Sequence, residues 1–260
     1  MKNKILRFTL SLALLGAALI SETVSGQIYV LSPYGTMSRQ IGEYTTGGAT
    51  VNASLFNMGP GYYSDAFAVS GGDIFIPSAG FNSIGEYTTG GTVVNASLIS
   101  DVHGPTGIAV SGGDIFVSNQ GNGTIGEYTT GGTVVNASLV SGLSSSINGI
   151  AVSGGDIFVA NLSLGTIGEY TTGGATVNAS LVSGLNGPYS IAVSGGDIFV
   201  GNIGNSTIGE YTTDGATVNP SLVSGMAPFG IVVVATPEPS TLALAGLAGL
   251  GMLWQFRRRK

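Results

Sequence analysis

The hexapeptide Ile-Gly-Glu-Tyr-Thr-Thr occurs five times in the chain. It starts at Ile41, Ile84, Ile125, Ile167 and Ile208. The starts are separated by 43, 41, 42 and 41 residues, so one module fills most of the 260-residue chain. Self-similarity at a fixed period of this length is typical of proteins built from stacked supersecondary units. Because nearly the same residues recur in every module, none of them stands out as a single reactive centre.

Each module contains four short runs of β-branched and aromatic residues separated by turn residues. In the last complete module the runs are residues 190–193, 197–200, 207–213 and 217–223. The pairs Gly195-Gly196 and Asp214-Gly215 between them supply the positive φ angles that tight hairpins need. Four strands in a repeat of this length is the size of one β-propeller blade. The small Gly of the hexapeptide is expected to let an aromatic ring of the neighbouring blade approach closely.

The phase of the repeat predicts a closed ring. Residues 27–30 match the second strand of a module, and residues 230–233 match the first strand. A C-terminal strand that completes the N-terminal sheet leaves no unpaired sheet at either end. We therefore predict an all-β, five-bladed β-propeller in which residues 230–234 pair with residues 27–31. An open β-solenoid is the alternative, but its two half-modules would have no reason to be complementary.

The N-terminus has the features of a secretory signal. Its basic residues are Lys2, Lys4 and Arg7. The apolar run 8–20 that follows has the length of a signal-peptide core, and small residues precede Gln27. We predict a signal peptide over residues 1–26 with a helical core. An uncleaved membrane anchor is the alternative, although the run is short for a span.

The C-terminus combines three parts in a fixed order. Pro237, Glu238 and Pro239 come first, and an apolar stretch over residues 241–256 follows. A basic cluster ends the chain: Arg257, Arg258, Arg259 and Lys260. Basic residues stay on the cytoplasmic side of a membrane, so the preceding domain faces outward. We predict a propeller domain over residues 27–235 and a tail over residues 236–260 that contains a transmembrane helix. An ordinary C-terminal anchor is the alternative.

This order of Pro-Glu-Pro motif, apolar helix and arginine cluster resembles the PEP-CTERM sorting signal of exopolysaccharide-producing Gram-negative bacteria. The resemblance covers the tail from Thr236 to Lys260. It implies that an exosortase, a membrane transpeptidase, cuts near Pro237, Glu238 and Pro239 and passes the protein to the cell surface. The expected location is the outer surface or extracellular matrix, after transient anchoring in the inner membrane. Exopolysaccharide is the partner that the signal suggests.

The blades themselves carry a more general resemblance. Residues 104–110 read Gly-Pro-Thr-Gly-Ile-Ala-Val, and a turn and the run Asp-Ile-Phe-Val follow. This phrase resembles the NHL-type repeat and the related propellers of lyase and lactonase families, over residues 27–234. Those enzymes carry histidine and acidic ligands around a central channel. This chain departs from that pattern, so the resemblance implies the fold without the activity.

Charge excludes one class of partner. Between residues 27 and 235 the chain has one basic residue, Arg39, against twelve acids, a net charge near −11. Nucleic acid is therefore excluded, because its binding requires Lys and Arg to neutralise phosphates. Divalent cations and basic partners are compatible with this charge. The chain has no cysteine and a single histidine, His103, so no metal set or nucleophile–base pair can be completed from these residue types alone.

Two sets of acids recur once per module. The first set, on the third strand, is Glu43, Glu86, Glu127, Glu169 and Glu210. If these glutamates faced the central channel, they would form a ring of carboxylates able to hold a cation. The innermost strand of a blade is the first one, however, and the glutamates are on the third. We therefore expect them toward the outside of the blade, hydrogen-bonded to Thr hydroxyls or solvated. The second set, after a Gly-Gly turn, is Asp73, Asp114, Asp156 and Asp197. Gln27 holds the matching place in the first module, which suits turn geometry better than ion binding. Calcium binding remains an open alternative.

Two further patterns are repeated. Asn-Ala-Ser begins at Asn52, Asn95, Asn136 and Asn178, and Asn-Pro-Ser at Asn219. It satisfies the N-glycosylation pattern, but we interpret it as the consensus of the fourth strand. The loops after the second strand vary most between modules, at residues 77–82, 119–123, 161–165 and 202–206. If the protein has a recognition surface, we expect it on these loops.

Taken together, the sequence predicts an exported, non-enzymatic propeller that acts as a binding or structural component. No catalytic residue, cofactor or metal ligand is predicted. The alternative from another class is a lyase- or lactonase-type propeller enzyme with a carboxylate–metal centre. A calcium-stabilised adhesin is a third possibility.

Overall fold

The computed structural model describes residues 27–31, 39–45, 49–58, 66–225 and 228–231. In these residues the chain forms 19 strands arranged in five antiparallel sheets. The predicted signal helix, the predicted C-terminal helix and residues 232–234 of the predicted closing strand lie outside the described residues. Within the described ranges, no helix is long and apolar enough to cross a membrane.

Each module of the sequence corresponds to one sheet. The first sheet contains β1 (Gln27–Leu31), β2 (Arg39–Thr45) and β3 (Thr50–Met58). The second contains β4 (Ala68–Ser70), β5 (Asp73–Ser78), β6 (Ser83–Thr88) and β7 (Val93–Ser100). The third contains β8 (Pro105–Ser111), β9 (Asp114–Asn119), β10 (Thr124–Thr129) and β11 (Val134–Val140). The fourth contains β12 (Ile147–Ser153), β13 (Asp156–Asn161), β14 (Thr166–Thr171) and β15 (Thr176–Val182). The fifth contains β16 (Pro188–Ser194), β17 (Asp197–Asn202), β18 (Thr207–Thr212) and β19 (Thr217–Ser224).

The strands of each sheet follow sequence order, so every sheet is an antiparallel meander. The first strands of neighbouring sheets contact one another: β4 with β8, β8 with β12, and β12 with β16. Thr106 on β8 donates its Oγ1 hydrogen to the carbonyl oxygen of Ile147 on β12, 2.9 Å away. The first strands therefore converge on the inside, as the sequence predicted, and the fourth strands form the outside.

The meander gives the molecule two rims. The Gly-Gly rim comprises the turns at residues 71–72, 112–113, 154–155 and 195–196, together with those at 89–92, 130–133, 172–175 and 213–216. Its two kinds of turn are joined by hydrogen bonds such as that from Thr130 N–H to the Gly113 carbonyl oxygen, 2.8 Å. The loop rim, at the other end of the strands, comprises loops 79–82, 120–123, 162–165 and 203–206 and connections 101–104, 141–146 and 183–187.

The core lies in the seams between sheets rather than within one sheet. Phe116, Ile125 and Val140 of the third sheet pack against Ile157 and Tyr170 of the fourth. We call the side of a sheet that faces the next sheet along the chain its downstream face, and the other side its upstream face. Both faces of a central sheet are apolar and covered, and burying one such side chain stabilises the fold by about 1.5–3 kcal/mol.

A leucine on each of the first four outer strands contacts a turn glycine of the next sheet. A Cβ added to Gly132 would lie 2.7 Å from the carbonyl oxygen of Leu98 and 3.0 Å from its Cδ1. Gly132 also has a φ of +84°, a conformation that other residues rarely adopt. The same contact joins four successive seams: Leu55 with Gly91, Leu98 with Gly132, Leu139 with Gly174 and Leu181 with Gly215. We call it the leucine–glycine contact.

The small Gly of the hexapeptide has a different role from the expected one. The atoms nearest to a Cβ placed on Gly126 belong to Tyr128, two residues further along the same strand, with the Tyr128 hydroxyl at 2.6 Å. The aromatic ring therefore comes from the same strand and not from the neighbouring blade. The tyrosine ring lies back over its own glycine, and this explains why the two residues recur together.

The Asn-X-Ser pattern marks a bulge in the outer strand. In the third sheet the register between β10 and β11 shifts on both sides of Asn136. The Oδ1 of Asn136 accepts the N–H of Ser138, 3.1 Å away. Equivalent bonds occur at Asn52, Asn95, Asn178 and Asn219. The repeated pattern therefore has a structural cause, since Asn readily forms such local turns, and Pro220 is tolerated because the bond uses the next N–H.

The two end sheets differ from the central ones. The first sheet has three described strands, and β1 pairs only with β2 among them. The described part of the predicted closing strand, Gly230 and Ile231, is not assigned to a strand. The structure thus shows an all-β fold of successive four-stranded sheets, while closure into a five-bladed ring stays a prediction.

Candidate functional site

The repeated acids lie in the seams between sheets. Asp114 on β9 is the register partner of Thr129, and Glu127 on β10 is the partner of Phe116. These side chains share the downstream face of the third sheet, because alternate residues of a strand point to the same side. Phe116 is buried against the fourth sheet. Asp114 and Glu127 therefore face the same seam, at its Gly-Gly rim end.

A cavity of about 360 Å³ opens at this place. Its lining residues are Ser111, Asp114, Phe116, Glu127, Val152, Gly154, Gly155, Thr172 and Gly173. They combine two carboxylates, two hydroxyls, glycine backbone and one aromatic ring. Chemically, such a cavity can accept hydrogen bonds from hydroxyl or ammonium groups.

The glutamates of three central seams share the same electrostatic environment. Burial raises the pKa of Glu127, and the charge of Asp114 raises it further. Burial and then Asp73 raise the pKa of Glu86 in the same way. For Glu169, burial comes first, followed by Asp156 and Asp214. Since Asp214 belongs to a turn of the fifth sheet, acids of two sheets face one another across that seam.

The seam between the first and second sheets is a variant of this arrangement. Tyr29 on β1 is the register partner of Glu43 on β2, as Phe116 is of Glu127. Glu43 is only 6% exposed. Burial and the charge of Glu43 raise the pKa of the Tyr29 hydroxyl, and a hydrogen bond with Thr89 opposes the shift. This seam thus replaces a phenyl ring by a phenol that bonds to the next sheet.

The glutamates do not form a ring around the converging first strands. They lie on the third strands β2, β6, β10, β14 and β18, two strands away from the inside. Across the described part of the chain, no three His, Asp or Glu side chains come together in a way that could hold a metal ion. The carboxylates of the central seams occur in pairs that interact through their charges.

His103 lies in the exposed connection between β7 and β8 on the loop rim. Its N–H donates to Asn119 Oδ1 at 3.2 Å, and its carbonyl oxygen accepts the N–H of Gly121 at 2.9 Å. These bonds fix the backbone and leave the imidazole exposed.

The loop rim has exposed apolar side chains that the sequence reasoning did not single out. Phe81 is 56% exposed and Leu164 is 64% exposed, at equivalent positions of two loops. Asn119, buried at the end of β9, holds the loop through its bond to His103. The recurrence of Asn after the second strand is the sequence signal for this anchor. In the fifth sheet the Oδ1 of the equivalent Asn202 is buried and has no hydrogen-bond partner among the described residues.

The predicted sorting residues cannot be placed in this fold. Pro237, Glu238 and Pro239 lie outside the described residues. The same holds for the basic cluster of Arg257, Arg258, Arg259 and Lys260. Only their sequence bears on their role.

Residues 235–259 match the family model of the PEP-CTERM protein-sorting motif. Signals of this kind mark exported proteins that are held transiently in the membrane and processed by an exosortase. No curated protein sequence matches the chain significantly.

Solved structures share the fold. A catalytically inactive variant of virginiamycin B lyase from Staphylococcus aureus with quinupristin is 17% identical, with a TM-score of 0.59 over 81% of this chain and 79% of that chain. The calcium-binding protein regucalcin from Agrobacterium tumefaciens is 16% identical, with a TM-score of 0.58 over 80% of this chain and 74% of that chain. The computationally designed protein Ika8 is 13% identical, with a TM-score of 0.50 over 79% of this chain. This chain spans 64% of the length of Ika8.

At these identities the likeness concerns the fold alone. The lyase and regucalcin are propeller proteins, in agreement with the predicted NHL-like architecture. The chain therefore has a β-propeller type of fold and carries a PEP-CTERM sorting motif at its C-terminus.

Proposed function

We propose that this chain is an exported protein of the outer surface or extracellular matrix of a Gram-negative bacterium, where it acts as a non-enzymatic binding or structural propeller. The match of residues 235–259 to the sorting motif is the observation that carries this proposal. Residues 1–26 are the signal peptide, residues 27–235 are the propeller, and residues 236–260 are the tail that an exosortase processes. Exopolysaccharide is the proposed partner in the matrix.

The distribution of acids supports a binding or structural role. The three central seams contain the same aspartate–glutamate pair at the same place, so the repeated acidic positions follow the repeat and not one unique centre. The converging strands β4, β8, β12 and β16 carry no acid. The carboxylates instead occur on second and third strands, where sheets contact each other.

We further propose that the five sheets close into a ring. On the downstream face of the fifth sheet, Val223 is 36% exposed, whereas the equivalent Val140 and Val182 are 5% and 4% exposed. Leu222 beside it is exposed, whereas the equivalent Leu98, Leu139 and Leu181 are partly buried. On the upstream face of the first sheet, Tyr44 is half-buried, whereas its four equivalents are buried. Those equivalents are Tyr87, Tyr128, Tyr170 and Tyr211. The two uncovered faces are the two halves of one more seam.

The end of the described chain supports the same closure. Pro228 is buried, and its carbonyl oxygen accepts the Oγ hydrogen of Ser190 on β16 at 2.6 Å. The rings of Tyr189 and Phe229 meet edge to face at 5.6 Å. Between the third and fourth sheets, the Oγ hydrogen of Ser118 is likewise donated to the carbonyl oxygen of Asn148 on β12, at 2.6 Å. Residues 228 and 229 thus lie beside β16 where the first strand of a following sheet begins.

Mass spectrometry of the exported protein tests the proposal on export and processing. We expect an N-terminus at Gln27 and a C-terminus near Pro239, with the mass of any attached group. A matched variant in which Pro237, Glu238 and Pro239 are all changed to Ala should keep the complete tail and stay with the membrane fraction. A wild-type protein that reaches the matrix with residues 241–256 still attached would contradict the proposal.

The second candidate function is a lyase- or lactonase-type propeller enzyme with a carboxylate–metal centre. The cavity with Asp114 and Glu127 is the feature that favours it. Calorimetric titration of the protein with Ca²⁺, Mn²⁺ and Zn²⁺ separates the two functions. Stoichiometric binding that is lost in Asp114→Asn and Glu127→Gln supports the metal centre, and heats equal to those of the variants support the non-enzymatic propeller.

A further inference from the structure

The path of the chain through each sheet has a fixed polarity. β8 starts at Pro105, paired with Asn119 beside loop 120–123, and ends at Ser111, paired with Asp114 at the Gly112–Gly113 turn. Every first strand therefore runs from the loop rim to the Gly-Gly rim. β19, in contrast, is a fourth strand and ends at Ser224 on the loop rim, beside Ser206.

After β19 the chain moves inward at the loop rim. The bond from Ser190 to Pro228 and the contact of Tyr189 with Phe229 place this segment beside the start of β16. In the repeat, Pro228 corresponds to the residue before Asn148. Its bond with Ser190 therefore lies one repeat position earlier than the bond between Ser118 and Asn148. The segment thus stands at the beginning of a first-strand path, at the loop-rim end.

The remaining length of this path matches the start of the sorting motif. In the repeat, Ile231 corresponds to Ile108, so Val234 corresponds to Ser111, the last residue of β8. The motif match begins at the next residue, 235. A first strand that ends at Val234 therefore delivers the motif to the Gly-Gly rim, with no connecting segment between strand and motif.

The tether between propeller and apolar stretch is short. Residues 235–240 separate Val234 from the apolar run, and six extended residues reach about 20 Å. A strand of six residues also spans about 20 Å, so the tether is about as long as the propeller is high. To turn the domain over, the tether would have to run outward across the Gly-Gly rim and then along the full height of the propeller, and about 20 Å is too short for both.

From this path we propose that, in the membrane-anchored chain, the Gly-Gly rim faces the lipid headgroups and the loop rim faces away from the membrane. This inference rests on the ring closure and the anchoring given under the proposed function. The surface that the anchored protein presents to other molecules is then the loop rim, with Phe81 and Leu164 exposed on it. The seam cavity with Asp114 and Glu127 opens toward the bilayer.

Because the chain has no cysteine, single thiols can test this orientation. Ser111 on the Gly-Gly rim and Ser145 on the loop rim are both exposed. The variants Ser111→Cys and Ser145→Cys make the same chemical change at opposite rims. Each variant, produced from Gln27 to Lys260 so that the tail is its membrane anchor, is labelled with one fluorophore and reconstituted in phosphatidylcholine vesicles that contain a minor fraction of headgroup spin-labelled phosphatidylcholine. The spin label quenches at short range, so the quenching measures proximity to the headgroups.

We expect the label at residue 111 to be quenched several-fold more than the label at residue 145. Equal quenching, or stronger quenching at residue 145, would overturn the proposal, because the tail would then leave the propeller at the loop rim. Circular dichroism that matches the unsubstituted chain confirms that both variants are folded. The measurement uses the uncut chain, so its failure is distinguishable from a failure of export or processing, which mass spectrometry reports separately.

Discussion

The central seams and the two uncovered end faces are built from nearly the same residues, yet they differ in burial. Val182 in the fourth sheet is 4% exposed, whereas Val223 at the equivalent place in the fifth is 36% exposed. Leu181 contacts Gly215 of the next sheet, whereas Leu222 is exposed. The local sequence is therefore not what buries these side chains. Burial depends on whether another sheet follows, and this makes the end faces sensitive reporters of ring closure.

A charge placed on the downstream face of the fifth sheet should reduce the stability of the protein the most. In a closed ring, Val223→Asp buries an unpaired carboxylate, so we expect the free energy of unfolding to fall by about 3 kcal/mol or more. Val218→Asp is the matched control, since Val218 lies on the same strand and is 54% exposed. The control should change stability by no more than about 0.5 kcal/mol. Urea denaturation measures both variants.

An equally small loss of unfolding free energy in both variants would contradict ring closure and support an open array. Sedimentation of the unsubstituted protein adds a second reading. A closed ring stays monomeric with increasing concentration, whereas an open array joins head to tail through its two uncovered faces.

A smaller effect is expected from a methyl group added where sheets meet. A Cβ on Gly149 would lie 2.8 Å from the carbonyl oxygen of Tyr189 and 3.1 Å from the Cα of Ser190. Gly149→Ala should therefore cost about 1–3 kcal/mol through overpacking. Gly113→Ala is the control, because no atom lies within 4 Å of its Cβ position.

Gly230 provides a direct test of the closing strand. It occupies the position equivalent to Gly149, but none of the described residues lies within 4 Å of a Cβ added to it. If residues 230–234 complete the ring, Gly230→Ala should cost as much as Gly149→Ala in thermal denaturation. A cost as small as that of Gly113→Ala would count against the closing strand.

The smallest effect concerns the acids of the central seams. Burial and Asp114 raise the pKa of Glu127 in the folded state above the value of the unfolded chain. The folded state then binds the proton more tightly, so the contribution to stability is complete below the unfolded pKa and is lost as pH rises through the folded pKa. Glu127→Gln should flatten the dependence of the melting temperature on pH in the mildly acidic range and stabilise the protein slightly at neutral pH. Asp101→Asn, at an exposed position, removes one carboxylate outside the seams and serves as the charge control.

The strands were predictable because each module contains short runs of β-branched and aromatic residues separated by turn residues. In the third module the run that follows Asp114 is Ile-Phe-Val, so both faces of the strand carry apolar side chains. This run lies within β9, Asp114–Asn119. The turns also followed from the Gly-Gly pairs. The bulge at Asn136 was not predicted, because the sequence pattern of alternation does not show where an extra residue is accommodated.

The candidate site was predictable only in part. That Glu127 belongs to a third strand, away from the converging strands, followed from the order of runs in the module. Its approach to Asp114 did not, because two residues on different strands share a face only through the register that the turns impose. The contribution of Asp214 from the next sheet was also out of reach, since it depends on how two sheets pack.

The leucine–glycine contact has a consequence for how such a gene can change. Each contact joins a residue of one repeat to a residue of the following repeat, and four successive junctions are chemically the same. Unequal recombination between the repeated DNA segments would therefore insert or delete a whole unit and keep the same leucine–glycine contact at each new junction. Variants of this protein with other numbers of units are the expected products of that process.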